Sequence, residues 1–249
     1  MDRNRNLGVL NTDVVDENGH IFYRHNLSYL NHGVNAEVWR WQYDGKQAAV
    51  KIFFDEAYHK GMKPDVASVL KNLHLVSLPN IHSILKKNGN SSGSMDGYVM
   101  EYLEEDFHAH FLDLPVENIV SSFQFMEQDA TTLAFHHVLM ADVFPGNMMI
   151  TKSGQAHLFD SDLYQICEDC SCDEILDDNY QLLISLIRLK LQQDILHDLD
   201  VPVMDCFAMI NAIDSFFSFE MCSCVPSEQI QSFFQSAKTP RQYFKKFGN

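Results

Sequence analysis

The sequence predicts an α+β protein of two lobes, a β-rich front over residues 1–104 and a helical back over 105–249. Two observations carry this. Large apolar residues alternate along 37–54, EVWRWQYDGKQAAVKIFF, whereas apolar residues recur at helical spacing along 117–139 and 178–199. A strand turns successive side chains to opposite faces and a helix repeats every 3.6 residues, so the change of period marks a change of architecture. With 249 residues and 46% hydrophobic content, the chain can bury a sizeable core in one large domain or in two lobes.

Within 37–54, Trp39, Trp41 and Tyr43 alternate, Asp44-Gly45 forms a favoured hairpin turn, and Ala48, Val50, Ile52 and Phe54 alternate again. The same period puts Ala49 and Lys51 together on the other face of the second strand. A lysine between Val50 and Ile52 is costly to bury unless it reaches an anion or water. Val66, Val69, Leu70 and Leu73 predict a helix within 63–76. Residues 80–104 read as strand, an Asn/Gly/Ser loop at 88–97, and strand. Further helices are expected at 203–219 and 226–237, with FFSFEMCSC at 216–224 serving core packing rather than a partner surface. No internal repeat is evident.

The 18 basic and 34 acidic residues leave a formal charge of -16, which argues against a broad nucleic-acid or anionic-membrane surface. Neither an apolar leader at the amino terminus nor an apolar run of the roughly 20 residues a membrane span needs is seen, so a soluble chain is expected. Six cysteines stand at 167, 170, 172, 206, 222 and 224. Their spacing fits no standard four-ligand zinc pattern, so reduced thiols are the expectation, with a metal site and a regulatory disulfide as alternatives.

MADVFPGNMMI at 140–150 sets Asp142 five residues before Asn147, and DSD follows at 160–162. Hard oxygen donors at such spacing suit a magnesium ion beside a phosphate. In order along the chain, these segments resemble the protein-kinase-like superfamily over roughly residues 28–190. LNHGVNAEV at 30–38 resembles a reduced glycine-rich loop in which Gly33 survives, Asn31 and Ala36 replace the other glycines, and Val38 closes the segment. AAVK at 48–51 resembles the strand motif whose lysine holds the α- and β-phosphates, with Ala49 lining the adenine site. YVMEYLEED at 98–106 resembles the fifth strand and hinge, with Met100 as gatekeeper and Glu101 to Leu103 bonding the base. The resemblance implies Asp142 as catalytic base beside Lys51, Asn147 and Asp160 as metal ligands, and Asp178 as the brace of the catalytic loop.

That resemblance implies a bilobal kinase-like fold with a short activation segment and an ATP-dependent phosphotransferase using Mg2+, or Mn2+ in its place. The favoured expectation is an atypical Ser/Thr protein kinase of the compact bacterial or effector type, cytoplasmic or delivered into a host cell. It would act on a protein substrate, under an activating partner or constitutively, with no nucleic-acid partner and no membrane span. The alternatives are a nucleotide-binding pseudokinase scaffold and a small-molecule kinase of the aminoglycoside or choline type. Departures from the family pattern are specific. Met140 and Ala141 replace His and Arg, Phe144 replaces a lysine, and Ser161-Asp162 replace Phe-Gly, with Asp162 read as a solvated turn residue in preference to a second metal ligand. Only 17 residues separate Asp160 from Asp178, which is short for a phosphorylation-switched segment. The helix carboxylate that would pair with Lys51 is either Asp65 or Glu56.

Overall fold

The structure is a computed structural model that describes residues 13–54, 62–86, 95–198, 201–218 and 225–246. It is α+β, and the chain divides into two compact units: Met1–His74 with Asn80–Leu103, and Leu75–Pro79 with Glu104–Asn249.

The first unit holds a seven-stranded sheet built from β1 (Val14–Asp16), β2 (Ile21–Phe22), β3 (Leu27–His32), β4 (Ala36–Tyr43), β5 (Lys46–Phe53), β6 (Ile81–Lys86) and β7 (Gly97–Met100). Every neighbouring pair is antiparallel, in the order β2-β1-β6-β7-β5-β4-β3. Strands β2 and β3 are the two edges, yet only residues 23–26 separate them, so the sheet curls on itself. Phe22 at one edge accordingly packs edge-on against Trp41 of β4, with ring centroids 5.4 Å apart. Trp39, Trp41, Val50, Ile52, Leu85 and Val99 form the core of the enclosed face.

The predicted hairpin is β4–β5, with Tyr43 opposite Lys46 and a turn in which Asp44 and Gly45 have φ of 49° and 73°. Those positive φ values match the right-handed twist of the flanking strands. Gly97 is required for another reason. A Cβ there would lie 2.1 Å from the carbonyl oxygen of Lys51, so only glycine lets β7 approach β5 that closely. Helix α1 (Pro64–Lys71) is shorter than its apolar spacing predicts. It stops at Asn72, and Leu73 is buried outside it. The loop expected at 88–97 falls mostly outside the described residues.

The second unit is built on α2 (Val116–Phe135) and α3 (Cys172–His197), with α4 (Val203–Phe216), α5 (Pro226–Phe233) and α6 (Pro240–Phe244) beside them. Ile119, Phe123, Met126, Ala130 and Leu133 give α2 a fully buried stripe that packs on α3 and α5. The helical pattern read over 117–139 overruns: α2 ends at Phe135, His137 takes a left-handed φ of 57°, and Val138–Leu139 become strand β8. In turn β8 pairs with β11 (Gln165–Ile166), while β9 (Met148–Ile150) pairs with β10 (Ala156–Leu158). Helix α3 starts six residues before the predicted 178, because Ser171 and Glu174 form a reciprocal capping box that satisfies its first turn. Phe216 and Phe217 pack at tilted angles on Phe233 with ring centroids 4.9 and 5.1 Å apart, and Phe217 is buried in the core, while 219–224 lie outside the described residues.

The cysteines differ from the expected reduced set. Cys167 and Cys170 are joined in a disulfide, their Cα atoms 5.5 Å apart across a tight turn, and Cys172 and Cys206 are free. Among the described residues no helix is long and apolar enough to cross a membrane.

Two buried carboxylates on α2 make stability pH-dependent. Glu127 accepts from the Ser227 backbone N–H and from its hydroxyl at 2.8 Å, and Asp129 accepts from Val76 N–H at 2.8 Å and from Ser77 N–H and hydroxyl at 2.6 Å each. Burial nevertheless raises the pKa of both, outweighing those bonds. A raised folded pKa means the folded chain keeps its proton where the unfolded chain has lost it. The resulting stabilisation is complete below the ordinary carboxylate value of about 4 and is lost as pH rises through the raised values. Melting temperature should therefore fall across that window and then level off, and Glu127→Gln should flatten the slope.

Candidate active site

In the first unit, register groups the residues singled out from the sequence. Lys51 lies between Val38 on β4 and Tyr98 on β7, and Ala49 lies between Arg40 and Met100. Cross-strand partners share a face, as do residues two apart, so Val38, Ala49, Lys51 and Met100 stand on one face of three adjacent strands. That face is opposite to the one bearing Trp39, Trp41, Val50 and Val99. Lys51 is 7% exposed, with its ammonium 5.8 Å from the centre of the Tyr98 ring. Buried so, a lysine is retained most readily where an anion joins it.

Gly33 sits in the turn joining β3 to β4, its N–H donating to the Ala36 carbonyl at 2.9 Å. A Cβ on Gly33 would meet no atom of the chain within 4 Å, so nothing in the chain's own packing demands a glycine there. Beyond Met100, Glu101 donates its N–H to Asn80 and accepts from the Asn80 amide at 3.0 Å, which ties the segment leading to Leu103. Asp65 differs from its expected role. It is exposed in the first turn of α1, accepts from the N–H of Val66 and makes no ion pair with Lys51; Glu56 lies outside the described residues. Arg40 is a cation on the Lys51 face that no motif pointed to. It donates to Gln47 and lies 5.0 Å over the Tyr102 ring.

In the second unit, β8 leads into a loop anchored at both ends. The Met140 N–H donates at 2.8 Å to the side-chain oxygen of Asn179, whose amide reaches the carbonyls of Ala130 and Val138 at 3.4 Å each. Met140 is buried. Asp142 is exposed and adopts a φ of 57°. Left-handed backbone at a non-glycine residue costs free energy and concentrates at functional sites.

Pro145 then opens a single 3-10 turn, Pro145–Asn147, its fixed φ suited to a first helical position. The turn brings the buried Asn147 back to Asp142, its amide donating to the Asp142 carbonyl at 2.8 Å and carboxylate at 3.3 Å. With both contacts made through the amide nitrogen, the Asn147 side-chain oxygen is the atom suited to a hard cation.

Strands β9 and β10 pair Met148 with Leu158, so the next pair outward is Asn147 and Phe159, joined by a 3.1 Å bond from the Phe159 N–H to the Asn147 carbonyl. Asp160 follows directly, one carboxylate oxygen accepting from the Asp162 N–H at 3.1 Å. Asp162 is buried rather than solvated, which corrects the sequence reading. Tyr164 is also buried, and burial together with the charges of Asp129 and Asp160 pushes its pKa up, so its hydroxyl stays protonated.

Asp178 does not brace the loop. It is exposed, and Asn179 takes that part. The helical phase carried the signal: Ile175, Asn179, Leu183 and Leu186 share the buried stripe of α3, and Asp178 stands off it. A cavity of about 460 Å³ opens beside the loop, lined by Asp142, Asp178, Gln181 and Ser185 with Leu139 and Met140. Among the described residues no group of three or more His, Cys, Asp or Glu side chains converges to hold a metal alone. Magnesium sites that rely on substrate phosphates need only one or two protein carboxylates; Asp160 is the carboxylate here, and Asn147 offers a neutral amide oxygen. No protein-family model matches the chain, and no curated protein matches it.

Proposed function

We propose that this chain is a protein-kinase-like phosphotransferase with the bilobal fold of that superfamily, transferring the γ-phosphate of ATP to a Ser or Thr hydroxyl of a protein. The observation that carries the reading is the Asp142–Asn147 pair, bonded across the strained loop, with Asp160 set beside it by the β9–β10 register. A base and oxygen donors held this way suit phosphoryl transfer, where positioning and charge neutralisation supply most of the rate. Bound Mg2+ would neutralise phosphate charge in the ground and transition states.

In this reading Asn147 and Asp160 hold the metal, and Lys51 pairs with phosphate oxygens as a compact cation. Asp142 orients the acceptor hydroxyl and takes its proton. Val38, Ala49 and Met100 offer apolar contacts to the base, Glu101 to Leu103 offer backbone partners, and Gly33 covers the phosphates. Activity is constitutive or set by a partner, since the segment between Asp160 and α3 is short. The protein works in the cytoplasm, its own or that of a host cell that receives it.

The test is transfer of label from γ-labelled ATP to protein in dialysed cell lysate, with and without Mg2+. Label dependent on Mg2+ and retained after dialysis is expected. Label lost with the low-molecular-weight fraction would replace the protein acceptor by a small molecule. Binding is read separately. Mg-ATP at about 100 times its Kd should stabilise the chain by roughly 2.7 kcal/mol, visible as a raised Tm. Asp160→Ala should abolish that shift, and an unchanged shift would remove Asp160 from the site.

A further inference from the structure

The disulfide lies close to the candidate catalytic loop. Strand β11 pairs Ile166 with Val138 and Gln165 with Leu139, and Cys167 extends the ladder by donating its N–H to the His137 carbonyl at 2.8 Å. On the other side of the turn, a ring nitrogen of His137 lies 3.2 Å from the Cys170 carbonyl. Both halves of the Cys167–Cys170 turn therefore hold His137, the left-handed residue from which the chain enters β8 and then Asp142. Immediately beyond, Ser171 caps α3, the helix that carries Asn179 to Met140. One four-residue cross-linked turn thus ties the start of the loop to the start of the helix that braces it.

Among the described residues, the two-residue ladder β8–β11 and the Asn179 bonds to Met140 and Val138 share that task. So short a pairing is marginal by itself, and the cross-link adds order that the strands lack. Both cysteines are partly exposed, and Glu168 and Asp169 between them are exposed, so a thiol can reach the bond.

We infer that Cys167–Cys170 is a thiol–disulfide exchange site for a dithiol partner, and that its state sets the order of the segment leading to Asp142. The regulatory consequence rests on the phosphotransferase reading; the exchange site does not. A partner thiolate attacks one sulfur of the pair, forming a mixed disulfide and releasing the other cysteine as a thiol. The partner's second thiol then attacks the partner's own sulfur in the mixed disulfide and displaces the bound cysteine, so the partner leaves as a disulfide and both cysteines are thiols. Two electrons and two protons pass from partner to chain. In a reducing compartment such a bond is transient, as a regulatory bond has to be. The bonded form holds His137 and supports transfer; the reduced form frees the turn and lowers it.

The test uses the full chain carrying Cys172→Ser, which prevents reshuffling to the neighbouring thiol. Amide hydrogen exchange and label transfer are measured in parallel before and after dithiothreitol, with maleimide labelling to report the state of Cys167 and Cys170. Exchange at the Met140 and Cys167 amides should speed up on the order of tenfold on reduction, with transfer falling in the same samples. The Cys167→Ser/Cys170→Ser double variant should show the fast exchange with or without reductant. Equal exchange in both states, or a bond that dithiothreitol leaves intact, overturns the inference. Reductant-dependent exchange with no transfer in either state upholds the exchange site and removes the phosphotransferase reading instead.

Discussion

An Asp142→Asn variant is expected to lose label transfer by about 10²–10⁴-fold while keeping its fold and its Mg-ATP-dependent rise in Tm. The choice of asparagine follows from the backbone. Asp142 has a φ of 57°, a conformation that asparagine tolerates and alanine does not. Asparagine also preserves the backbone carbonyl that the Asn147 amide contacts at 2.8 Å and can present an amide oxygen where the carboxylate stood. What it cannot do is accept a proton from a hydroxyl at neutral pH. Loss of transfer with binding intact therefore isolates the base. Transfer within about threefold of the wild type would show that Asp142 takes no proton, and the carboxylate acting as base would have to be sought elsewhere.

Asn179→Ala is expected to destabilise the chain by about 2–3 kcal/mol and to lower transfer with it. Asn179 is fully buried, and its removal leaves the Met140 N–H without the acceptor it has at 2.8 Å and the carbonyls of Ala130 and Val138 without their shared donor. A buried donor left unsatisfied costs more than the hydrogen bond itself was worth. Urea melts measure the stability loss. Asn179→Asp separates positioning from packing, because it keeps an acceptor for Met140 but sets a carboxylate against two carbonyl oxygens. Protonation relieves that repulsion and restores a donor, so the aspartate variant should recover stability as pH falls. Equal loss for alanine and aspartate at every pH would mean that Asn179 only fills space.

Where the candidate site was legible in the sequence, the information was local. Alternation along 37–54 and the Asp44-Gly45 turn specify the β4–β5 hairpin, and alternation alone puts Ala49 and Lys51 on one face. The interval from Asp142 to Asn147, with Pro145 opening the turn between them, carries enough chain stiffness to predict that the two meet. Short-range steric rules decide such features, so neighbours in sequence suffice to read them.

What the tertiary structure decided depends on partners far along the chain. Helix α2 ends at Phe135 rather than 139 because Val138 and Leu139 find Ile166 and Gln165, a pairing no local period announces. Asp162 is buried rather than solvated, and a motif read without its surroundings does not record burial. The brace fell to Asn179 instead of Asp178 because packing selected the phase of α3, turning Ile175, Asn179 and Leu183 inward together. The β1–β6 pairing within the curled sheet and the seating of the Cys167–Cys170 turn against His137 have the same origin. The sequence alone determined which strands and turns could form and where oxygen donors were spaced along the chain. Long-range burial and backbone pairing determined which of those groups were enclosed, braced or left exposed, because the free energy of burial and pairing depends on what the fold packs against each group.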